Sequence, residues 1–506
     1  MQRMIYTVIF LGFILAMSHR ASTILVGPGG DIQSAIDQSV WGDTVLLEKD
    51  FRIVPSLRLK DGVILRGIRK DSCILNFGGD DYFISVENTS RNVIENLTII
   101  SIGVLPKSMV YTDQCRYLSL KNVEFQGGNL SVFARGSYLY IDNVLFSNRQ
   151  TNLELELSGG IIRNSRFMSD NSGLIIKGNV RDSLIVENNR FETGKSIVYC
   201  ENAGNGLRFL HNEFSAPSAN MMINAIGSSL ELAFNRILLQ TNATGIALSG
   251  SSMAYFHHNV FLSEQSGSAI AAVNCEAVLC HNNTFLNFSN VLAGYESYLS
   301  FVNNICANTS LIGDTAIQLV SSKKNVVRYN DFWGFEADVS GTLDTALSEH
   351  NIFADPYFIS QDFSDTLNFL CLDCQSPCID SGDPAFDAGK EPDNSIIDMG
   401  FTGNTVRGCG YKAVSVDEDS RQPEEDFKLA VYPLPVDDHI TIRWGVDEFA
   451  REVSIYNLIG ERVACFPVSP GSVNFSFNCS RFPAGCYLIR VLSGGKALYA
   501  RFMICR

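Results

Sequence analysis

Seven histidines are spread through a 506-residue chain, and four of them fall at matched positions. His257 and His281 each lie four residues before a phenylalanine, Phe261 and Phe285. His211 and His258 each lie three residues before Phe214 and Phe261. Imidazoles brought side by side can bind a metal or a sugar ring, or pass a proton near neutral pH. His257 and His281 are therefore candidate binding residues. A second set is charged: Lys177 and Arg181 lie in the middle repeats, with Glu187 and Arg190 close by. A third is acidic. Asp380, Asp383, Asp387, Asp393 and Asp398 crowd a stretch with turn glycines, and several such carboxylates could hold Ca2+. No Asp-x-Asp-x-Asp loop appears, so the competing reading is that each Asp caps its own turn.

Positioning these groups falls to a repeat. From about residue 96 to 332 one phrase recurs: one or two Asn, or a His, then a short spacer, then Phe or Ile. Its copies end at Ile99, Phe125, Phe146, Phe167, Phe191, Phe214, Ile237, Phe261, Phe285, Ile305 and Phe332. The steps are about 20 to 27 residues, the period of stacked-repeat architectures. A short alternating run precedes each copy, as at Leu184-Ile185-Val186, and no run has the length or period of a helix. A single short strand cannot bury its own apolar face, so the repeats must stack. The expected fold is all-β, a right-handed parallel β-helix spanning residues 24–410. Asn suits its corner because it tolerates the left-handed backbone and its amide can bond to the Asn of the next coil. The Phe and Ile should form a line in the core. On this register His257 and His281 are neighbours on coils about 4.8 Å apart. The competing reading of the histidines is that they stand in for Asn in the ladder.

Asp31 to Asp37 reads as a short amphipathic helix with Ile32, Ala35 and Ile36 on one side, a cap for the first coil. Residues 1–18 read as a secretory signal: Arg3, then an apolar run from Ile5 to Ala16, then small residues at Ala16 and Ser18. That run is too short to span a bilayer comfortably, and no later segment reads as transmembrane. Residues 411–428 form an acidic linker with few apolar residues. Residues 429–506 alternate as short strands split by turn residues, the pattern of a small β-sandwich. The net charge of -15 argues against a nucleic-acid partner, which would select a basic stripe. Cys200, Cys275, Cys280 and Cys306 fall inside repeats, where Cys serves as a small apolar filler.

The opening, from Gly27-Pro28-Gly29-Gly30-Asp31-Ile32 to Trp41-Gly42-Asp43-Thr44-Val45, resembles the N-terminal part of pectate-lyase-like β-helix proteins. So do Asn351-Ile352-Phe353-Ala354-Asp355-Pro356 and Asp398-Met399-Gly400, which in that family belong to the last irregular coils. The catalytic motifs of the polygalacturonase branch, Asn-Thr-Asp, Gly-His-Gly and Arg-Ile-Lys, are absent. For a lyase-type activity the resemblance implies a Lys or Arg base, which points to Lys177 and Arg181, and acidic residues or Ca2+ to neutralise a uronate. The segments Val431-Tyr432-Pro433-Leu434-Pro435, Ile455-Tyr456-Asn457-Leu458-Ile459-Gly460 and Pro483-Ala484-Gly485-Cys486-Tyr487 resemble the C-terminal sorting domain of the type IX secretion system, with Leu434 where that family has Asn. This implies the secretion machinery as a partner and a place outside a Gram-negative cell, free or on its outer membrane. The expected function is a surface protein that binds glycans or acts as an adhesin. The alternative is a lyase-type enzyme acting on acidic polysaccharide.

Overall fold

The computed structural model describes residues 21–48, 51–77, 81–101, 106–216, 218, 221–309, 313–320, 325–341, 343, 348–365, 368–385, 391, 395–403 and 405 of a first unit. Of a second unit it describes 430–432, 439–443, 450–456, 462–468, 474–479, 482, 485–493 and 496–504. The units divide between Lys412 and Ala413. The proposed signal segment, the acidic linker and Asp387 lie outside the described residues.

The first unit is a parallel β-solenoid. One coil shows the plan. A leading strand, Ala254–His257, reaches a two-residue corner, His258 and Asn259. A trailing strand, Val260–Ser263, follows the corner, and Ser268–Val273 forms the third side. Each pairs in parallel with its counterpart on the next coil, as Ala254 with Val278, Phe261 with Phe285 and Ile270 with Leu292. The helix α1, Ile32–Gln38, closes the N-terminal end. Asp31 caps it by accepting from the Ser34 amide, and Ile32, Ala35 and Ile36 are buried, as expected.

The core follows the repeat. Phe125, Phe146, Phe167, Phe191 and Phe214 stack with ring centroids 5.4, 4.7, 4.4 and 5.0 Å apart. Phe214 continues to Ile237, Phe261 and Phe285 in strict register. The next inward residue is Cys306, not Ile305: Phe285 pairs with Cys306, and Cys306 with Phe332. The spacing from the buried Asn explains the shift. The anchor stands two residues after it, at Phe261 after Asn259 and Cys306 after Asn304, so Ile305 points outward.

The corner holds two rows where one was expected. Its first residue takes the left-handed conformation, with φ of 54° at Asn188, 55° at His211, 57° at Phe234 and 54° at His258. Its second residue points inward and carries the main ladder. Asn189, Asn212, Asn235, Asn259, Asn283, Asn304 and Asn330 each donate to the Asn of the following coil and to a backbone carbonyl of the preceding one. The outer row forms a shorter ladder of its own, Asn143 to Asn122 to Asn96.

The described residues between 351 and 403 do not simply finish the stack. They fold back over the outer face of the trailing strands. Phe369, Leu370, Leu372, Cys378 and Met399 bury outward-facing Leu238, Val260, Leu262, Leu286, Ile305 and Ala307. Those strands are apolar on both faces, whereas earlier trailing strands point Arg166 or Arg190 to solvent. Burial on both faces makes a strand read as a continuous apolar run. The second unit contains a three-stranded and a four-stranded antiparallel sheet around Ile440, Ile442, Val453, Ile455, Ile489 and Val491. No helix among the described residues is long and apolar enough to cross a membrane.

Candidate functional site

Lys177 and Arg181 do not meet as a site. The Lys177 ammonium is bonded to Glu154 at 2.6 Å, and that bond holds its pKa above the ordinary lysine value, against its use as a base. Arg181 donates to the Gly136 carbonyl at 2.8 Å. Asp383 is buried and paired with Arg328 at 2.7 Å, while the Asp380 amide donates to the Asp398 carboxylate. Among the described residues no three His, Cys, Asp or Glu side chains converge as metal ligands. The carboxylates of Asp383 and Asp398 are thus engaged by a guanidinium and by turn amides.

His257 and His281 are register neighbours, as the repeat count predicts. They belong to neither row of the corner, since both end their leading strands. The ring of Tyr255 touches both, at centroid distances of 4.4 and 5.4 Å. His281 is 8% exposed, and burial first, then the charges of His257, Arg328 and His258, pull its pKa down to about 4. At neutral pH it is uncharged, 3.2 Å from the Ser300 hydroxyl. His257 has a different environment: its Nε2 lies 3.2 Å from Glu231 and its Nδ1 3.0 Å from Nδ1 of His258. His258 donates from Nε2 to the Gly403 carbonyl at 2.9 Å. Burial raises the pKa of Glu231, but the Arg208 and His257 hydrogen bonds outweigh it and keep the carboxylate ionised.

The stacked rings are His211, Phe234 and His258, all in the outer row, with centroids 4.9 Å apart at each step. They floor a cleft of about 420 Å3. Arg236 and Glu213 flank it, and Phe369, Phe401 and Thr405 of the returning segment wall it. Arg236 lies over the rings of Phe363 and Phe369 and donates to the Phe363 carbonyl. A shallower depression continues along the same corner past Asn188, Arg190, Asn164 and Arg166. His211 and His258 share a position, as their spacing implies; they replace Asn of the outer row, not of the hydrogen-bonded inner ladder. Phe234, Glu231 and Arg236 carry no such signal alone. The sign of Phe234 was its place directly before Asn235, where the neighbouring coils have His211 and His258.

Residues 82–237 match the family model described as a right-handed β-helix region. Residues 430–505 match the secretion-system C-terminal sorting domain. The chain carries a right-handed β-helix and a type IX sorting domain. Residues 225–364 also match a model described as periplasmic copper-binding protein NosD. No curated protein sequence matches the chain. Among solved structures it is similar to the A-module of the mannuronan C-5 epimerase AlgE6 of Azotobacter vinelandii, at 13% identity and TM-score 0.43 over 64% of this chain and 94% of that one. Pectate lyase Pel9A gives 15% and 0.37 over 76% and 97%. The catalytic unit of a GH87 α-1,3-glucanase from Streptomyces thermodiastaticus gives 14% and 0.40 over 66% and 71%. At such scores these likenesses carry no argument about chemistry here. The sorting domain implies secretion.

Proposed function

We propose that this exported β-helix protein is a glycan-binding surface protein, and that the outer row of the corner is its binding groove. The observation that carries the reading is Phe234. It is 40% exposed and sits in the left-handed conformation, which costs a bulky residue about 1 kcal/mol or more. Asn holds the same position without that cost at Asn143, Asn164 and Asn188. An apolar ring kept in a strained, solvent-facing place marks a site rather than a scaffold need. Its two stacked neighbours cover the ring faces, so Phe234 offers the cleft an apolar edge.

The groove takes neutral saccharide. Cations and carboxylates alternate along it: Arg166 bonds Glu192 at 2.6 Å, and Arg190 reaches Glu192 at 2.6 Å and Glu213 at 3.6 Å. Guanidinium forks and carboxylates each match a pair of vicinal hydroxyls. A run of uronates would set its charges against Glu192 and Glu213. The lyase-type alternative loses support because its candidate base, Lys177, is tied to Glu154.

The test is titration calorimetry of the full-length protein against linear neutral glycans and uronate polymers, beside an ultraviolet assay for unsaturated products with and without Ca2+. Binding to a neutral glycan that weakens at least tenfold in Phe234→Asn, with no absorbance gain, is the expected result. Growth of absorbance on a uronate polymer would put the enzyme reading in its place.

A further inference from the structure

The groove is open along the corner in one direction and closed in the other. Its outer-row residues are exposed at Asn143, Asn164, Asn188, His211 and Phe234, half-buried at His258, and buried at Asn282 and Asn303. The closure is made by backbone. The Asn282 amide donates to the carbonyls of Asp398 at 3.0 Å and Gly400 at 3.2 Å. Gly400 donates its amide to the Asn303 carbonyl at 2.7 Å, and the Phe401 amide donates to the Thr284 hydroxyl. The His258 bond to Gly403 pins the same segment one coil earlier. Phe401 and Thr405 then stand as an end wall of the cleft, directly beyond the Phe234 and His258 rings.

We infer that the groove recognises the terminal unit of a saccharide chain rather than its interior. The inference rests on the glycan-binding reading above and specifies it. A polymer laid along the corner from Asn164 runs about 19 Å over four coil steps before it meets this wall. An interior segment would have to leave the surface there. A chain end has nothing beyond it to displace, and it fills the cleft between the Phe234 edge, Arg236 and Phe401. The wall is held by at least four hydrogen bonds to three successive coils, so it does not yield to a passing chain at the cost of one contact.

The distinguishing quantity is stoichiometry. Full-length protein is titrated with three linear pairs: maltohexaose and amylose, laminarihexaose and unbranched β-1,3-glucan, mannohexaose and linear mannan. Recognition of a terminus gives, for whichever linkage binds, one protein per chain at both lengths and dissociation constants per mole of chain within threefold of each other. If proteins bound per chain rise in proportion to length, the terminal inference is overturned while glycan binding stands. If none of the six probes binds, the glycan reading itself fails and takes this inference with it. Phe401→Ala adds an independent arm: it should weaken hexasaccharide binding at least tenfold without lowering the melting temperature as Phe261→Ala does, and unchanged affinity would remove the wall from the site.

Discussion

Two rows of side chains run along the same corner, one residue apart, and they obey different rules. The inner row is Asn from Asn189 to Asn330, because each amide must serve its neighbour's side chain and a backbone carbonyl at once. Change one and two coils lose partners. The outer row is constrained chiefly by its left-handed backbone, so it varies from Asn188 to His211, Phe234, His258 and back to Asn282. From Asn189 to Asn330 the fold is written in the inner row, and the proposed function in the outer one. Breaking each row should therefore give opposite phenotypes.

The largest effect belongs to the core beside the inner row. Phe261→Ala should cost about 3 to 5 kcal/mol, since its ring is fully buried and stacks 4.6 Å from Phe285 with coils on either side. A melting temperature within a degree of wild type would show the register to be wrong. Next comes Asn259→Ala, in the ladder itself. It removes the bonds to the Leu232 carbonyl and to the Asn283 side chain, and it takes the Oδ1 acceptor from both the side-chain and the backbone amide of Asn235. About 2 to 4 kcal/mol should be lost. Denaturation followed by circular dichroism reads both, and a ladder variant milder than an outer-row variant would collapse the distinction.

How much of this the residues disclosed follows from the same contrast. The core and the neighbouring of His257 and His281 were legible because a buried repeat fixes register by counting. The two corner rows merged because the doublets Asn188-Asn189, Asn282-Asn283 and Asn303-Asn304 put the same residue in both; the split shows at His211-Asn212 and Phe234-Asn235. Ile305 is the larger side chain, but the two-residue spacing from Asn304 puts Cys306 in the inward place. The family resemblance implies closing coils for the returning segment and does not show that it covers the trailing strands. The trace of that cover lies in Val260-Phe261-Leu262 and Ile305-Cys306-Ala307, where the alternation of earlier trailing strands stops. The groove itself joins residues far apart in the chain, such as Phe234 and Phe401, and no spacing rule predicts that.

Under the returning segment the covered part of the corner region holds two displaced titrations with opposing slopes. Burial above all raises Asp331 to about 7, against the amide of Ala354 and the Cys378 thiol, which favour its ionised form. A carboxyl raised above its unfolded 3.8 binds more protons when folded, so stability falls as pH rises from about 4 to 7 and is level above. His281, lowered to about 4 from 6.5, binds more protons when unfolded, so its contribution is full above 6.5 and is lost as pH falls towards 4. Over the shared window the two largely offset each other. Asp331→Asn should leave stability rising from pH 4.5 to 6.5, and His281→Gln should leave it falling from pH 4.5 to 7, each by on the order of 2 kcal/mol. Melting temperatures across that range check the signs. Parallel slopes in the two variants would show that the burial argument fails.

The smallest change in stability should accompany the sharpest change in binding. Phe234→Asn places in the outer row the residue that Asn188 and Asn282 already use there, and Asn accepts the left-handed backbone more readily than Phe. Stability should fall by less than the roughly 2 to 4 kcal/mol expected for Asn259→Ala, because relief of the left-handed strain offsets part of the burial that the stacked ring faces lose. The cleft loses its apolar edge and the stacking partner that holds His211 and His258 parallel, so affinity for the saccharide should drop at least tenfold, about 1.4 kcal/mol. Asn259→Ala should do the reverse at a temperature where it stays folded: lower stability with a smaller change in affinity. A drop in stability for Phe234→Asn of the size expected for Asn259→Ala would mean that the aromatic stack braces the coils, and the ring would then owe its place to the fold rather than to a ligand.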